Sequence, residues 1–171
     1  MNTYQYELIE TKEALSINKE LMELGGIAFG QHSHKMSADN AAKMQAGIAN
    51  EKMWAGMIEI AKVFVCKNNE AVVGMAFLIP KGNPWDIFKA EWCYLRMVSV
   101  HPNHQGYGIG KKLTQMCIDY AKEANEQIMA LHTSEMMDAA RHVYENLGFT
   151  ILEEIEPRLG KRYWIYTLNL N

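Results

Sequence analysis

The sequence predicts a mixed α/β fold in which a largely antiparallel sheet becomes parallel at its middle. Three observations support this prediction. Runs rich in β-branched and aromatic residues are spaced along the chain. The amino-terminal third carries apolar residues at helical spacing. Past residue 90 a strand, a glycine loop, a helix, a strand and a helix follow one another, and such a crossover places two strands in parallel.

The first third of the chain is predicted to be one short strand followed by helices. Residues 4–9 suit a strand because their polarity alternates. Apolar residues over 14–24 recur at helical spacing, and the glycines at 25–26 are expected to end that helix. Residues 29–35 read as a loop. Ser37 is a plausible cap for a second helix that continues to about residue 57.

The middle of the chain is predicted to form a hairpin and a long strand. Residues 61–66 and 71–79 are separated by the turn-forming pair Asn68-Asn69, and Pro80 ends the second run. Residues 90–100 form the long strand candidate. The remaining elements are, in order, a helix over 109–120, a strand over 128–131, a helix over 140–147 closed by Gly148, and two strands over 149–152 and 163–168.

Length and composition favour one compact domain over 1–171, because one domain usually takes about 100 to 200 residues. Hydrophobic residues make up 49% and charged residues 22% of the chain, which allows a sizeable core. The net charge is −3 at pH 7, whereas proteins that bind nucleic acid usually carry a basic face. No apolar run of about 18 residues and no secretory pattern is visible. We therefore expect a cytoplasmic protein that binds neither nucleic acid nor membrane.

Neither disulfides nor a metal site is expected. Cys66, Cys93 and Cys117 are odd in number, far apart and embedded in apolar stretches, which is typical of reduced core thiols. His32 and His34 alternate in a loop, but no nearby cysteine or carboxylate cluster completes a ligand set.

The loop Gln105-Gly106-Tyr107-Gly108-Ile109-Gly110-Lys111 is the most informative stretch. It leaves a strand and opens an amphipathic helix with three glycines at alternate positions. The first turn of a helix has unpaired N–H donors and the positive end of a dipole, so a phosphate or diphosphate is favoured there. Glycine removes the Cβ that would block the approach. Lys111 and Lys112 add positive charge at the rim.

Spacing excludes two phosphate-binding patterns. A Rossmann fingerprint would need a glycine where Lys111 stands. A P-loop would need a glycine at Gln105 and a Ser or Thr at Lys112. Both patterns fail. A tight strand-to-helix turn without a ligand remains an alternative.

Two ordered motifs resemble those of the GNAT superfamily of N-acetyltransferases. The run 95–102 followed by 105–110 is similar to the family's acetyl-CoA-binding motif, Q/R-x-x-G-x-G/A, at every fixed position. Residues 140–149 resemble its second signature, a helix ending in Tyr and then Leu-Gly-Phe. The resemblance covers roughly residues 60 to 155. It implies an α+β fold with about seven strands, a bulged or splayed sheet centre and about four helices.

The resemblance also implies an acyltransferase that uses acetyl-CoA as co-substrate and no metal. An amine of a small molecule or peptide would attack the thioester directly. The backbone of Met97, Val98 and Val100 would bond the pantetheine arm like an added strand, and an amide near Val98 would polarise the thioester carbonyl. The remaining cofactor-binding residues implied are Gln105, Gly106, Gly108, Ile109, Gly110, Lys111 and Tyr144.

Three residues are candidates for moving protons. Tyr144 occupies the position of the family's general-acid tyrosine and would protonate the departing thiolate. An amine with a pKa of about 10 is neutral in only about one molecule in a thousand at pH 7, so a base is needed. Glu91, early in the predicted central strand, is one candidate because relatives use a glutamate on this strand. His132 is the other, since an ordinary imidazole titrates near pH 6.5.

One position departs from the family pattern. Relatives often carry an asparagine seven residues before the tyrosine, and Met137 stands there, so Thr133 or Ser134 would have to replace its contacts. A non-catalytic acyl-CoA-binding or sensing module is therefore an alternative function, and a nucleotide-binding domain of another fold is a weaker one.

The acceptor site is less well defined by the sequence. Its walls are expected from Trp54, Trp85 or Trp92, of which Trp85 lies on the loop before the central strand. A homodimer through the apolar strand 163–168 is possible, as in many relatives.

Overall fold

A computed structural model describes all residues, 1–171, and contains one seven-stranded sheet. The strands lie in the order β1-β2-β3-β4-β5-β7-β6. All neighbours are antiparallel except β4 and β5, which run parallel, so the predicted sheet is confirmed. The strands are β1 (Tyr4–Ile9), β2 (Lys62–Asn68), β3 (Ala71–Ile79), β4 (Cys93–Val100), β5 (Ile128–Ser134), β6 (Thr150–Arg158) and β7 (Lys161–Asn169).

Six α-helices flank the sheet, two more than predicted. They are α1 (Thr11–Ser16), α2 (Asn18–Gly30), α3 (Ala38–Ile48), α4 (Glu51–Ile60), α5 (Ile109–Glu123) and α6 (Asp138–Asn146). None of them combines the length and the apolar character needed to cross a membrane.

The amino-terminal helices differ from the prediction at their ends. Ser37 caps α3 as expected, accepting a hydrogen bond from the amide of Asn40 at 3.2 Å. The helix then breaks, and Asn50 caps α4. The prediction that glycines end the first helix is wrong, since α2 runs through Gly25. A Cβ there would lie 2.9 Å from the Trp54 ring, so this glycine allows close helix packing rather than termination.

The core forms two layers, one on each face of the sheet. Helices α1, α2 and α4 cover one face, where Leu21, Trp54 and Phe77 are buried together. Helices α5 and α6 cover the other face, where Leu113 and Tyr166 lie in a second cluster. The functional features below lie where β4 separates these two layers.

A bulge in β4 splits the centre of the sheet. Phe77 pairs with Arg96 and Met75 with Ser99, so two residues of β4 oppose one of β3. Met97 in this bulge has a φ of 55°, in the left-handed region. On the other side β4 meets β5 through only two residue pairs, Cys93–Met129 and Tyr94–Ala130. Beyond them the two strands diverge, as the predicted splayed centre requires.

The closing strands are arranged differently from what a homodimer through residues 163–168 would need. Strand β7 lies between β5 and β6, and its residues Tyr163, Trp164, Ile165 and Tyr166 are buried within the chain. The apolar character of this segment therefore serves the core. The edge strands of the sheet are β1 and β6.

Candidate active site

A cleft of about 490 Å³ opens where β4 and β5 diverge. Its floor is the second half of β4, represented by Val98 and Val100, and one end is the glycine loop. Tyr144 on α6 forms a wall. The end of α2 and the residues that follow it, 31–35, form the opposite side.

The glycine loop leaves the helix start open. Gly106 and Gly108 have φ of 84° and 75°, a conformation that side chains rarely adopt. A Cβ added at either position would meet no atom within 4 Å, so no protein atom fills the space in front of the loop. Gly108 is the residue that precedes α5, and no side chain caps this helix. An anion can therefore approach the first turn directly.

Six consecutive backbone N–H groups, from Gly106 to Lys111, donate to no acceptor within the protein. The next amide, Lys112, bonds to the carbonyl of Gly108 at 3.0 Å and begins the helical pattern. The Gln105 amide differs from the expectation, since it points to the Pro102 carbonyl at 3.4 Å. Free donors at the positive end of a helix dipole favour the binding of an anion such as a diphosphate.

The surroundings of the loop hold it in this shape. Ile109 is buried against β3 at Gly74, where a Cβ would come within 2.6 Å of its Cγ2 atom. Thr114 donates to the Gly110 carbonyl at 2.8 Å. Lys111 is exposed at the rim of the cleft, where it adds positive charge beside the free amides.

The open edge of β4 supplies the rest of the floor. Val98, Ser99 and Val100 line the cleft, and no strand pairs with them on the β5 side. Met97 does not line it, and its carbonyl accepts from the Ser99 hydroxyl at 3.1 Å. An extended ligand can add to this edge as a strand would.

Tyr144, the predicted acid, lines the cleft. It is the buried residue of α6, and its ring packs edge-on against Phe149. Its hydroxyl makes no hydrogen bond within the protein, although the residue lines the cleft. Burial raises the pKa of the Tyr144 phenol, with a smaller contribution from Cys117, so the group stays protonated and can donate.

Met137, which replaces the family's asparagine, also lines the cleft and precedes α6. Its sulfur lies 3.7 Å from the Thr133 hydroxyl. Thr133 and Ser134 are buried and do not line the cleft, and the Ser134 hydroxyl accepts from the Met136 amide. Neither residue therefore stands in for the missing side chain.

The sequence reasoning missed the residues that lie across the cleft. Gln31 accepts a hydrogen bond at 3.0 Å from the Gln105 side chain, and Lys35 donates to the Met136 carbonyl at 2.8 Å. Lys35 also lies 3.3 Å from the His32 imidazole, whose pKa is lowered by burial first and by Lys35 second. The only available signal was a run of polar and basic residues directly after a helix.

Glu91 lies outside the strand to which the sequence assigned it. Strand β4 begins at Cys93, and Glu91 is an exposed turn residue before it. Val98 lies five strand positions after Cys93, roughly 17 Å of extended chain. The turn forms because the preceding loop closes on itself, with the Trp92 amide bonded to the Lys89 carbonyl. Glu91 does not line the cleft.

His132 lies on the face of the sheet opposite α5. Its ring packs against Phe88 and Tyr163, with centroid distances of 5.6 and 5.8 Å. Burial, and to a lesser extent Arg158 and Arg96, lower its pKa to about 4. Its Nδ1 atom is buried without a partner. The imidazole is therefore neutral at pH 7 and is a weak base.

The three tryptophans have different environments. Trp54 and Trp92 are buried in the core. Trp85 is 42% exposed, and the Arg96 guanidinium lies 3.8 Å above its ring. Trp85 is thus the exposed one of the three, and Arg96 is a neighbour that the sequence did not suggest.

The structure contains no group of three or more His, Cys, Asp or Glu residues that could hold a metal ion. Cys66, Cys93 and Cys117 are buried and unpaired, as expected of core thiols.

Comparison with known proteins agrees with this arrangement. A sequence model of the acetyltransferase (GNAT) family matches residues 33–149. The chain is 33% identical over 66 residues to an L-amino acid N-acyltransferase of Escherichia coli, a match that covers 39% of this chain and 38% of that protein. It is 29% identical over 102 residues to an L-methionine sulfoximine/L-methionine sulfone acetyltransferase of Salmonella typhimurium, covering 59% of this chain and 57% of that protein. The matches thus span about two fifths to three fifths of these relatives.

Solved structures share the whole architecture. The PaiA N-acetyltransferase of Thermoplasma acidophilum, solved with coenzyme A, superposes with a TM-score of 0.77 at 12% identity and covers 98% of this chain and 99% of that one. The YncA protein of Salmonella typhimurium, solved with acetyl-CoA, gives a TM-score of 0.65 at 20% identity and covers 99% and 95%. At these identities the likeness shows the fold.

Proposed function

Because the chain belongs to the GNAT family of acetyltransferases, we propose that it transfers the acetyl group of acetyl-CoA to a primary amine of a small molecule or peptide. The observation that carries the proposal is the run of six unpaired N–H groups, Gly106 to Lys111, at an open helix start beside an unpaired strand edge. The diphosphate of acetyl-CoA matches the unpaired N–H groups, and its amide-containing arm matches the unpaired strand edge.

The parts of acetyl-CoA have distinct partners in this arrangement. The diphosphate binds the amides from Gly106 to Lys111, with Lys111 at the rim. The pantetheine arm adds to the free edge of β4 at Val98 and Val100. The thioester carbonyl then lies near the Val98 amide, which stabilises the negative charge that develops on the oxygen.

The reaction is a direct displacement in which a C–N bond forms and the C–S bond breaks. The departing thiolate takes a proton from the Tyr144 hydroxyl, which has no competing protein partner. The amine releases a proton to solvent, and solvent supplies a proton that restores the Tyr144 hydroxyl. Asp138, an exposed residue, contributes the single carboxylate of the cleft lining, and Glu91 is remote, so we propose that the amine proton leaves through water.

The pH dependence tests this proton route. The acetylation rate at limiting amine is expected to rise about tenfold per pH unit between pH 6 and about pH 9, because the neutral amine fraction rises in that proportion. His132, with its pKa lowered to about 4, adds no inflection in that range. A plateau that begins near pH 6.5 would instead indicate a side-chain base.

The acceptor we propose is a small molecule, since two relatives are named for amino-acid substrates. The test is thiol release from acetyl-CoA in the presence of a panel of amino acids, polyamines, aminoglycosides and short peptides, with product mass as confirmation. Amine-dependent thiol release from at least one class is expected. Silence across the panel, with acetyl-CoA bound, would contradict transfer.

A non-catalytic acyl-CoA-binding role is the second candidate, and Met137 and the lack of a strong base favour it. Calorimetry distinguishes the two functions. Tight acetyl-CoA binding without amine-dependent thiol release would support the sensing role, whereas preference for ATP or NAD over coenzyme A would contradict both.

A further inference from the structure

Arg96 projects from β4 onto the face of the sheet opposite α5, two residues before Val98. Its guanidinium lies 3.8 Å above the Trp85 ring and 4.0 Å from the Met53 sulfur. No carboxylate lies within 4 Å of it, and it makes no other hydrogen bond. An arginine that is half-buried and carries no ion pair is unusual, because buried charges are normally paired.

The nearest acid cannot neutralise Arg96. Asp86 is bound to Arg158 at 2.8 Å, so its charge is already matched. His132, on the neighbouring strand, is neutral because burial lowers its pKa to about 4. Arg96, Arg158 and Asp86 together therefore carry one excess positive charge, although the chain as a whole carries −3.

The remaining guanidinium nitrogens are accessible. Buried side-chain nitrogens and oxygens without partners occur at Asn18, Asn68, Glu126 and His132, and Arg96 is not among them. Its unbonded N–H groups therefore reach solvent, and a ligand can replace that solvent. Trp85 holds the plane of the guanidinium by cation–π contact, which leaves its edge free for a two-pronged interaction with a carboxylate.

The position relative to the reaction completes the argument. Val98 is two positions after Arg96, so their Cα atoms lie at most about 7 Å apart. An arginine side chain at that distance reaches an anionic group on a molecule whose amine stands at the thioester. We propose that Arg96, fixed by Trp85, binds a carboxylate of the acceptor, so that the enzyme selects amines that also carry an anion, as amino acids do. This inference rests on the proposed function.

The test compares each L-amino acid with its own carboxamide as acceptor. The two share the amine and the side chain, and the carboxamide amine is the more readily deprotonated, so intrinsic reactivity favours the amide. We expect kcat/KM for the free acid to exceed that for the amide at least tenfold. Equal use of the two by the unaltered enzyme overturns the proposal. Failure to acetylate either contradicts the proposed function instead.

Variants separate recognition from structure. Arg96→Met keeps the stem length and removes the charge, and it should raise the KM for the acid at least tenfold, leave the KM for acetyl-CoA unchanged and bring the acid-to-amide ratio close to one. Arg96→Lys should restore part of that ratio. An equal loss toward acid and amide would show a merely structural role and overturn the proposal.

Arg162 provides the matched control. It also lies over a tryptophan, Trp164, at 5.0 Å, but it is exposed and paired with Glu154. Arg162→Met should leave the acid-to-amide ratio unchanged. If Arg96→Met does not fold, the comparison of acid and amide with the unaltered enzyme still decides the proposal.

Discussion

The two faces of β4 expose different parts of the chain to a ligand. On the face toward α5, the cleft presents main-chain amides from one continuous loop, Gly106 to Lys111. On the other face, Arg96, Trp85 and His132 come from two strands and a loop, and they present side chains. Main-chain amides are present whatever the side chains are, so the face toward α5 can keep the same ligand when residues are substituted. Side-chain substitutions on the other face can change which ligand it accepts.

The largest expected effect is a loss of turnover when a residue of the face toward α5 is substituted. Tyr144→Phe should lower kcat about a hundredfold or more, because it removes the proton donor to the thiolate. The KM for acetyl-CoA should change little, and the Tm should not fall, since the hydroxyl has no protein partner. Steady-state kinetics and thermal melting measure these quantities.

Tyr120 is a suitable control for that substitution. It packs edge-on against Phe64 outside the cleft, so Tyr120→Phe should leave kcat unchanged. If Tyr144→Phe retains full turnover, the thiolate is protonated by another group.

The second effect concerns the pH dependence of folding stability, which arises from His132 on the face of the sheet opposite α5. The pKa of His132 is about 4 when folded and near 6.5 when unfolded, so the unfolded chain binds an extra proton between these values. Stability should therefore fall as the pH falls from about 6.5 to about 4, by up to about 3 kcal/mol from this residue.

Urea unfolding at several pH values measures this loss. His132→Phe should flatten the dependence over that window and be no less stable at pH 7, because it replaces a buried Nδ1 that has no partner. His142→Gln, at an exposed position of α6, is the control. An unchanged slope in His132→Phe would assign the acid sensitivity elsewhere.

The third prediction concerns how the cofactor face is assembled. Gly74→Ala would place a Cβ 2.6 Å from Ile109 and 3.1 Å from Leu113. Overpacking of this kind costs about 1–3 kcal/mol, which corresponds to a Tm lower by about 3–9 °C for a chain of this size. Gly56→Ala, with no atom within 4 Å in α4, should be neutral or stabilising. An equal Tm for both variants would contradict the packing argument.

The smallest effect distinguishes a binding glycine from a merely strained one. Gly108→Val should raise the KM for acetyl-CoA about tenfold, because φ is 75° and a side chain would stand before the free amides. Gly82 also has a positive φ, 92°, with open space around it. Gly82→Val should share the loss of stability and keep the KM for acetyl-CoA. If both variants bind acetyl-CoA normally, the loop is not the diphosphate site.

The same contrast explains what the sequence could predict. The open helix start was predictable because glycines mark a main-chain feature within one short segment, and the place of Tyr144 on a helix follows from a local motif. Arg96 and Trp85 are eleven positions apart, and only the folded loop stacks them. Glu91 was placed in β4 because an apolar run continues past it, whereas the turn at Lys89–Trp92 shortens the strand. Gly25 shows the related limit that a glycine needed for packing resembles one that ends a helix.

The short pairing between β4 and β5 divides the sheet into two parts. Strands β1 to β4 form one part, and β5, β7 and β6 form the other. Only two residue pairs connect the two parts within the sheet. A ligand that fills the gap contacts both parts and holds them together. Its binding should therefore slow hydrogen–deuterium exchange most strongly in β4 and β5 on either side of the gap.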